Sequence, residues 1–72
     1  MIQYVYAVYD IHTGYNLPFY APSDGAARRS YETSCIEEPI LRENKSDFQL
    51  RKIGMFDTET GVIVGYDPEV IA

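Results

Sequence analysis

The sequence predicts an α+β fold: a small antiparallel sheet of about four strands, in the order β-β-α-β-β, with one helix packed on one face. Three observations predict it. Strand-like runs rich in β-branched and aromatic residues lie near both ends of the chain, a similar turn signal follows two of them, and one capped helical segment lies between. With 72 residues the chain forms a single domain, residues 1–72.

The first strand is predicted for residues 2–9, which read IQYVYAVY. Even and odd positions are both largely apolar, so neither face of the strand suits full exposure to water. We therefore expect this strand to be central in the sheet or covered on both sides.

A repeated turn signal, Asp-x-x-Thr-Gly, occupies residues 10–14 and 57–61. The Asp carboxylate can accept from backbone amides of the turn, and the Gly can adopt the positive φ that closes it. Each loop has too few carboxylates for a calcium loop. The signal therefore predicts two hairpins with similar turns.

The second strand, within residues 15–21, must be short. Pro18 cannot donate to a ladder of hydrogen bonds, so this segment is predicted to be an edge strand or simply extended.

A helix is predicted from Asp24 to about Glu37, with Ser23 as its N-cap and an end before Pro39. At 100° per residue Ala27 falls on the buried face, which consists mostly of small residues and can lie close to a sheet. Gly25, near the helix start, is interpreted as a close-packing position; the alternative is an anion site at the helix N-terminus.

Residues 38–47 are polar and are predicted to form the main loop. Residues 48–56 form the next strand, in which Phe48, Leu50 and Phe56 share one parity, and residues 62–66 form its hairpin partner. Gly54 predicts a bulge or a close approach of another backbone.

Composition excludes several classes of function. The single Cys and the single His cannot close a structural zinc site, and no nucleophile–base arrangement is present, so we expect no cofactor, no metal and no enzymatic activity. The sequence has no signal peptide and no apolar run of membrane-spanning length, so we expect no membrane contact. The net charge of −5 argues against a general nucleic-acid coat.

The combination of arginines with many aromatic residues is the strongest functional signal. Bases stack on aromatic rings while cations follow the phosphates. The candidate nucleic-acid-binding residues are Arg28, Arg29, Arg51, Lys52 and Tyr20. Surface charges around an ordinary core would produce the same composition, and this alternative stays open.

Self-association is also expected. A chain this short buries only about 60% of its unfolded surface, and it has neither a disulfide nor a metal to compensate. We therefore predict a homo-oligomer formed through an edge strand or a Tyr-rich sheet face.

Three blocks of sequence, taken together and in order, carry a family resemblance: VYAVYD at residues 5–10, PFYAP at 18–22 followed by GAARR at 25–29, and FQLRKIGMFD at 48–57. They resemble the small nonstructural protein, of the open-reading-frame-five type, of gokushoviruses, which are single-stranded-DNA microvirus phages. The resemblance implies a protein of the host bacterial cytoplasm that acts in single-stranded DNA synthesis or packaging. It supplies no catalytic residues.

Two hypotheses follow. The first is a non-enzymatic phage protein that contacts single-stranded DNA or the replication machinery. The second is a protein-interaction module that contacts a viral or host replication or assembly protein without touching DNA, which the acidic charge favours.

Overall fold

One antiparallel sheet runs through the computed structural model, which describes residues 1–72. The elements are β1 (Ile2–Asp10), β2 (Gly14–Tyr15), β3 (Phe19–Ala21), α1 (Asp24–Glu37), α2 (Pro39–Glu43), a 3-10 turn (Lys45–Asp47), β4 (Phe48–Asp57) and β5 (Ile63–Val70). This architecture confirms the predicted α+β class and the order β-β-α-β-β.

Strand β1 is central, as its two apolar faces predicted. On one side it pairs with β4, and on the other with both β2 and β3; β4 in turn pairs with β5. Strand β5 is therefore the outer edge of the sheet. The other edge is broken into β2 and β3 around Pro18, which agrees with the predicted short edge strand.

Both predicted turns are confirmed. Gly14 and Gly61 have positive φ values of 100° and 77°. The amide of residue 12 donates to the Asp10 carboxylate at 2.8 Å, and the amide of residue 59 donates to the Asp57 carboxylate at 2.9 Å. These backbone donors lower the pKa of both carboxyl groups, because they favour the charged form.

Helix α1 has the predicted bounds. Ser23 caps it by accepting from the Ala26 amide at 3.2 Å, and the helix ends two residues before Pro39. The prediction for Gly25 was wrong. A Cβ at that position would meet only the Ser23 hydroxyl, at 3.9 Å, so nothing packs closely there.

The predicted loop at residues 38–47 was also wrong, because most of it is helical. Pro39 begins α2, at a position where its missing N–H and fixed φ suit a helix start. Leu41 is buried by this short helix, and that burial stabilises a segment whose composition looks like a loop.

The core lies between the sheet and the helical layer, which is formed by α1 and α2. Tyr6, Ala27 and Leu50 are fully buried. The whole cluster is Tyr6, Ala21, Ala27, Tyr31, Cys35, Leu41 and Leu50. Ala27 therefore faces the sheet as predicted, and β5 contributes no residue to the cluster.

A bulge in β4 changes which residues share a face. Val5 pairs with Gly54 and Tyr6 pairs with Lys52, so Ile53 has no partner on β1. The extra residue shifts the alternation, so Phe56 lies on the opposite face from Phe48 and Leu50 although it shares their parity in the sequence. The prediction for Gly54 is confirmed: a Cβ there would lie 2.5 Å from the Val64 carbonyl oxygen.

Candidate nucleic-acid interface

The sheet face opposite α1 has no helical cover, and we call it the open face. Cross-strand partners lie on the same face, so the pairing register assigns its residues row by row. The rows across the open face are Gln3 with Phe56 and Ile63; Val5 with Tyr20, Gly54 and Gly65; Ala7 with Arg51 and Val70; and Tyr9 with Tyr15 and Gln49.

An arginine in contact with two neighbouring tyrosines occupies one end of the open face. The Arg51 guanidinium lies 3.9 Å from the centre of the Tyr9 ring, and its Nη1 donates to the Tyr15 hydroxyl at 3.0 Å. Gln49 Oε1 accepts from Nε and Nη2 of Arg51 at 3.0 and 2.7 Å. Three of the five guanidinium N–H donors are thus used, which orients the group and leaves two donors for a ligand.

An aromatic pair lies further along the same face. The rings of Tyr20 and Phe56 have centroids 5.8 Å apart and are tilted by 46°. Tyr20 is 61% exposed, although it lies within a strand. Its partner on β1, Val5, is four residues from Tyr9, about 13 Å along the strand. The two aromatic groups are therefore far enough apart to contact different nucleotides.

Lys52 lies on the opposite face of the sheet from Arg51. Its Nζ is 3.1 Å from Asp24 Oδ1 and 4.0 Å from the centre of the Tyr4 ring, and the side chain is only 16% exposed. Tyr6 donates its hydroxyl proton to the same carboxylate oxygen at 2.6 Å. The hydrogen bond from Tyr6, assisted by Lys52, lowers the pKa of Asp24. Lys52 is thus already paired inside the protein.

Arg28 and Arg29 belong to the helical layer. Arg28 donates from Nε to the Ile71 carbonyl at 3.3 Å, and Arg29 is exposed. The five residues predicted from the sequence consequently do not form one site. The fold brings Arg51 and Tyr20 to the open face and places Arg28, Arg29 and Lys52 elsewhere.

Charge is distributed unevenly between the two faces of the sheet. No residue assigned to the open face is acidic, and its one charged residue is Arg51. The paired acidic strand residues, Asp10, Asp57 and Glu69, lie on the face that carries the helix. The net charge of −5 therefore does not describe the open face.

Sequence reasoning missed three members of this face: Tyr9, Tyr15 and Phe56. Tyr9 could have been found from its parity with Ala7 and Val5. Tyr15 becomes its neighbour through the first hairpin, with ring centroids 4.9 Å apart. Phe56 could not have been found by parity, because the bulge before it reverses the alternation.

Elsewhere, the structure contains no group of three or more His, Cys, Asp or Glu side chains that could hold a metal ion. His12 is exposed in the first turn, and its Nε2 lies 3.4 Å from Asp47 Oδ2. Cys35 is buried against Tyr31 in the core, and the buried tyrosine has its pKa raised to about 12. No helix is long and apolar enough to cross a membrane.

The fold and the open face define a class: a small antiparallel-sheet protein with a helical layer on one side and exposed aromatic residues on the other. Within that class, the chain belongs to the family described as Phage ORF5 protein, whose model matches residues 3–72. It is thus a phage protein, as the sequence resemblance implied. No curated protein and no solved structure matches the chain.

Proposed function

We propose that this protein is a non-enzymatic nonstructural protein of gokushovirus type that binds single-stranded DNA through the open face. It would act in genome synthesis or packaging in the host bacterial cytoplasm. The observation that carries the proposal is the composition of the open face: four aromatic rings, one oriented arginine and no acidic residue. Family membership supports a phage role and says nothing about the ligand.

Stacking favours single strands over duplex as the ligand. Bases in a duplex are stacked on one another, whereas a single strand can place its bases flat on exposed rings. Uncovered sheet faces with two or three aromatic residues bind single-stranded RNA in this way in other domains. The open face offers two stacking positions: the exposed ring of Tyr20 beside Phe56, and the exposed ring of Tyr15 beside Tyr9.

The expected affinity is modest. Each stacked base contributes about 1–3 kcal/mol, so two positions supply about 2–6 kcal/mol before the cost of association. Arg51 adds one phosphate or base contact through its two free N–H donors. Because the open face has a single cation, the logarithm of affinity should fall with the logarithm of salt with a slope of only about −0.7 per protein chain.

A second function has one specific observation in its favour. Strand β5 exposes apolar side chains and an unpaired edge, and such an edge suits contact with a protein rather than with phosphates. A viral or host replication or assembly protein is the alternative partner. The DNA experiment below separates the two functions, because only the first depends on the open face.

The test is fluorescence anisotropy of a labelled oligothymidine with the wild-type protein and two matched pairs of variants. Tyr20→Ala should weaken binding about 5- to 150-fold, the equivalent of one lost stack, and Tyr20→Phe should bind nearly as the wild type does. Arg51→Gln should weaken binding and flatten the salt dependence. Arg29→Ala removes the same charge from the helical layer and should change binding little.

Two results would overturn the proposal. One is the absence of binding at low salt. The other is an equal loss of affinity in Arg29→Ala and Arg51→Gln, which would indicate general electrostatic attraction instead of a site on the open face.

A further inference from the structure

The outer edge of the sheet is protected in only one of its halves. The second half of β5 carries Asp67, Pro68 and Glu69, and the register against β4 shifts there. Charges, proline and bulges are the devices with which proteins prevent edge strands from pairing with other chains. Residues 60–66, by contrast, contain no charge and no proline.

This unprotected half is apolar and exposed. Val62, Ile63 and Val64 are 51%, 68% and 40% exposed. All residues of β5 are exposed, and none belongs to the core cluster. The helical layer therefore does not cover the first half of β5, and no strand of the sheet pairs with its outer edge.

The backbone at this edge has free hydrogen-bonding groups. The Asp57 amide donates to the Val62 carbonyl at 2.9 Å, so the carbonyl of Val62 points toward β4. In an antiparallel ladder the bonded residues alternate. Ile63 and Gly65 consequently direct their N–H and C=O groups outward, away from the sheet.

We propose that this edge pairs with the same edge of a second copy, antiparallel and centred on Val64. In this register Ile63 lies opposite Gly65 of the partner subunit, so a large side chain meets a position with no side chain. The two-fold axis repeats the same contact on the other side of Val64. No acidic residue lies opposite another within residues 62–66. This self-complementarity argues for a second copy instead of a foreign strand.

The proposed pairing has a consequence for the open face. The two-fold axis of an antiparallel strand pair in one continuous sheet is normal to the sheet, so each face keeps its side. Both helical layers would lie on one side and both open faces on the other. The relevance of this arrangement to DNA binding rests on the proposed function; the pairing itself does not. Because the apolar segment is short, the interface is smaller than the standard ~800 Å² per partner, and we expect micromolar affinity.

The test is sedimentation equilibrium or light scattering of the protein alone, from about 1 to 200 μM. The wild type should approach twice the chain mass of 8.2 kDa. Gly65→Pro removes an outward N–H and should weaken dimerisation at least tenfold. Gly65→Ala keeps that N–H, and within one chain its Cβ would meet nothing within 4 Å, so this variant should fold and should dimerise more tightly than Gly65→Pro does.

A second variant covers the case in which Gly65→Pro does not fold, as judged by circular dichroism. Val64→Lys places two like charges at the two-fold axis and should also give a monomer, whereas Val64→Thr should not. A monomeric wild type at 200 μM would overturn the proposal. So would a Val64→Lys protein that dimerises with the wild-type affinity. Neither outcome depends on whether the protein binds DNA.

Discussion

At the residue scale, Asp24 connects the helix to the sheet. It lies in the first turn of α1, where a carboxylate suits the positive end of the helix dipole. The same carboxylate oxygen accepts from Tyr6 and pairs with Lys52. The helix position of Asp24 could be predicted from the sequence. Its partners could not, because Tyr6 and Lys52 are brought together beneath the helix start by the register of β1 against β4, two strands that are distant in the sequence.

Replacing Asp24 with Asn should make the protein less stable at neutral pH and less sensitive to acid. The pKa of Asp24 is lowered from its ordinary value of 3.8, so its contribution to stability is complete above that pH and is lost as the pH falls through the folded-state pKa. We expect Asp24→Asn to cost on the order of 1 kcal/mol at pH 7, a charged hydrogen bond discounted for partial exposure, and less near pH 2. Urea denaturation at pH 7, 4 and 2 measures this.

The control for this experiment is Glu32→Gln, a similar change on the exposed surface of α1. An Asp24→Asn cost that stays the same from pH 7 to pH 2 would contradict the assigned role of the carboxylate.

At the element scale, the accuracy of the sequence predictions follows from how local each signal is. The two turns and the bounds of α1 depend on residues close together, such as Ser23 and the glycines that adopt positive φ, and these were predicted correctly. Helix α2 depends on tertiary burial of Leu41, which composition does not reveal. The face of Phe56 depends on the bulge at Ile53, and the assembly of the open face depends on Phe56.

Gly54 should be intolerant of even one added methyl group. Its Cβ would lie 2.5 Å from the Val64 carbonyl oxygen, and a backbone oxygen in a paired strand cannot move without disturbing the ladder. We expect Gly54→Ala to lower the free energy of unfolding by about 1–3 kcal/mol. Gly65→Ala meets open space and should be neutral or stabilising by up to about 1 kcal/mol.

Thermal and urea denaturation of the two glycine variants, at a concentration low enough to keep both monomeric, make this comparison. Equal stabilities would mean that β5 lies further from Gly54 than the structure places it.

At the scale of the whole molecule, the sheet is covered unevenly. The helical layer and the core cluster lie over β1, β3 and the first half of β4, where Leu50 is fully buried. The hairpin at residues 57–62 and all of β5 lie outside this cluster. The molecule measures 40 × 21 × 16 Å, an elongated shape that is consistent with a sheet extending beyond its cover.

This uneven cover predicts a gradient of local stability along β4. The amides of Leu50 and Asp57 form a matched pair, since each donates to a carbonyl just outside an end of β5. Leu50 donates to Ala72 at 2.7 Å and Asp57 donates to Val62 at 2.9 Å. Opening the sheet at Leu50 exposes core residues, whereas opening it at Asp57 exposes little that is not already in water. Amide hydrogen exchange at about 1 μM should therefore give an opening free energy at least about 2 kcal/mol lower for Asp57 than for Leu50.

At several hundred micromolar, pairing of the β5 edges should raise the protection of Asp57 and leave that of Leu50 nearly unchanged. Equal protection of both amides at the low concentration would show that the sheet opens as one cooperative unit, and the uneven cover would then have no energetic consequence.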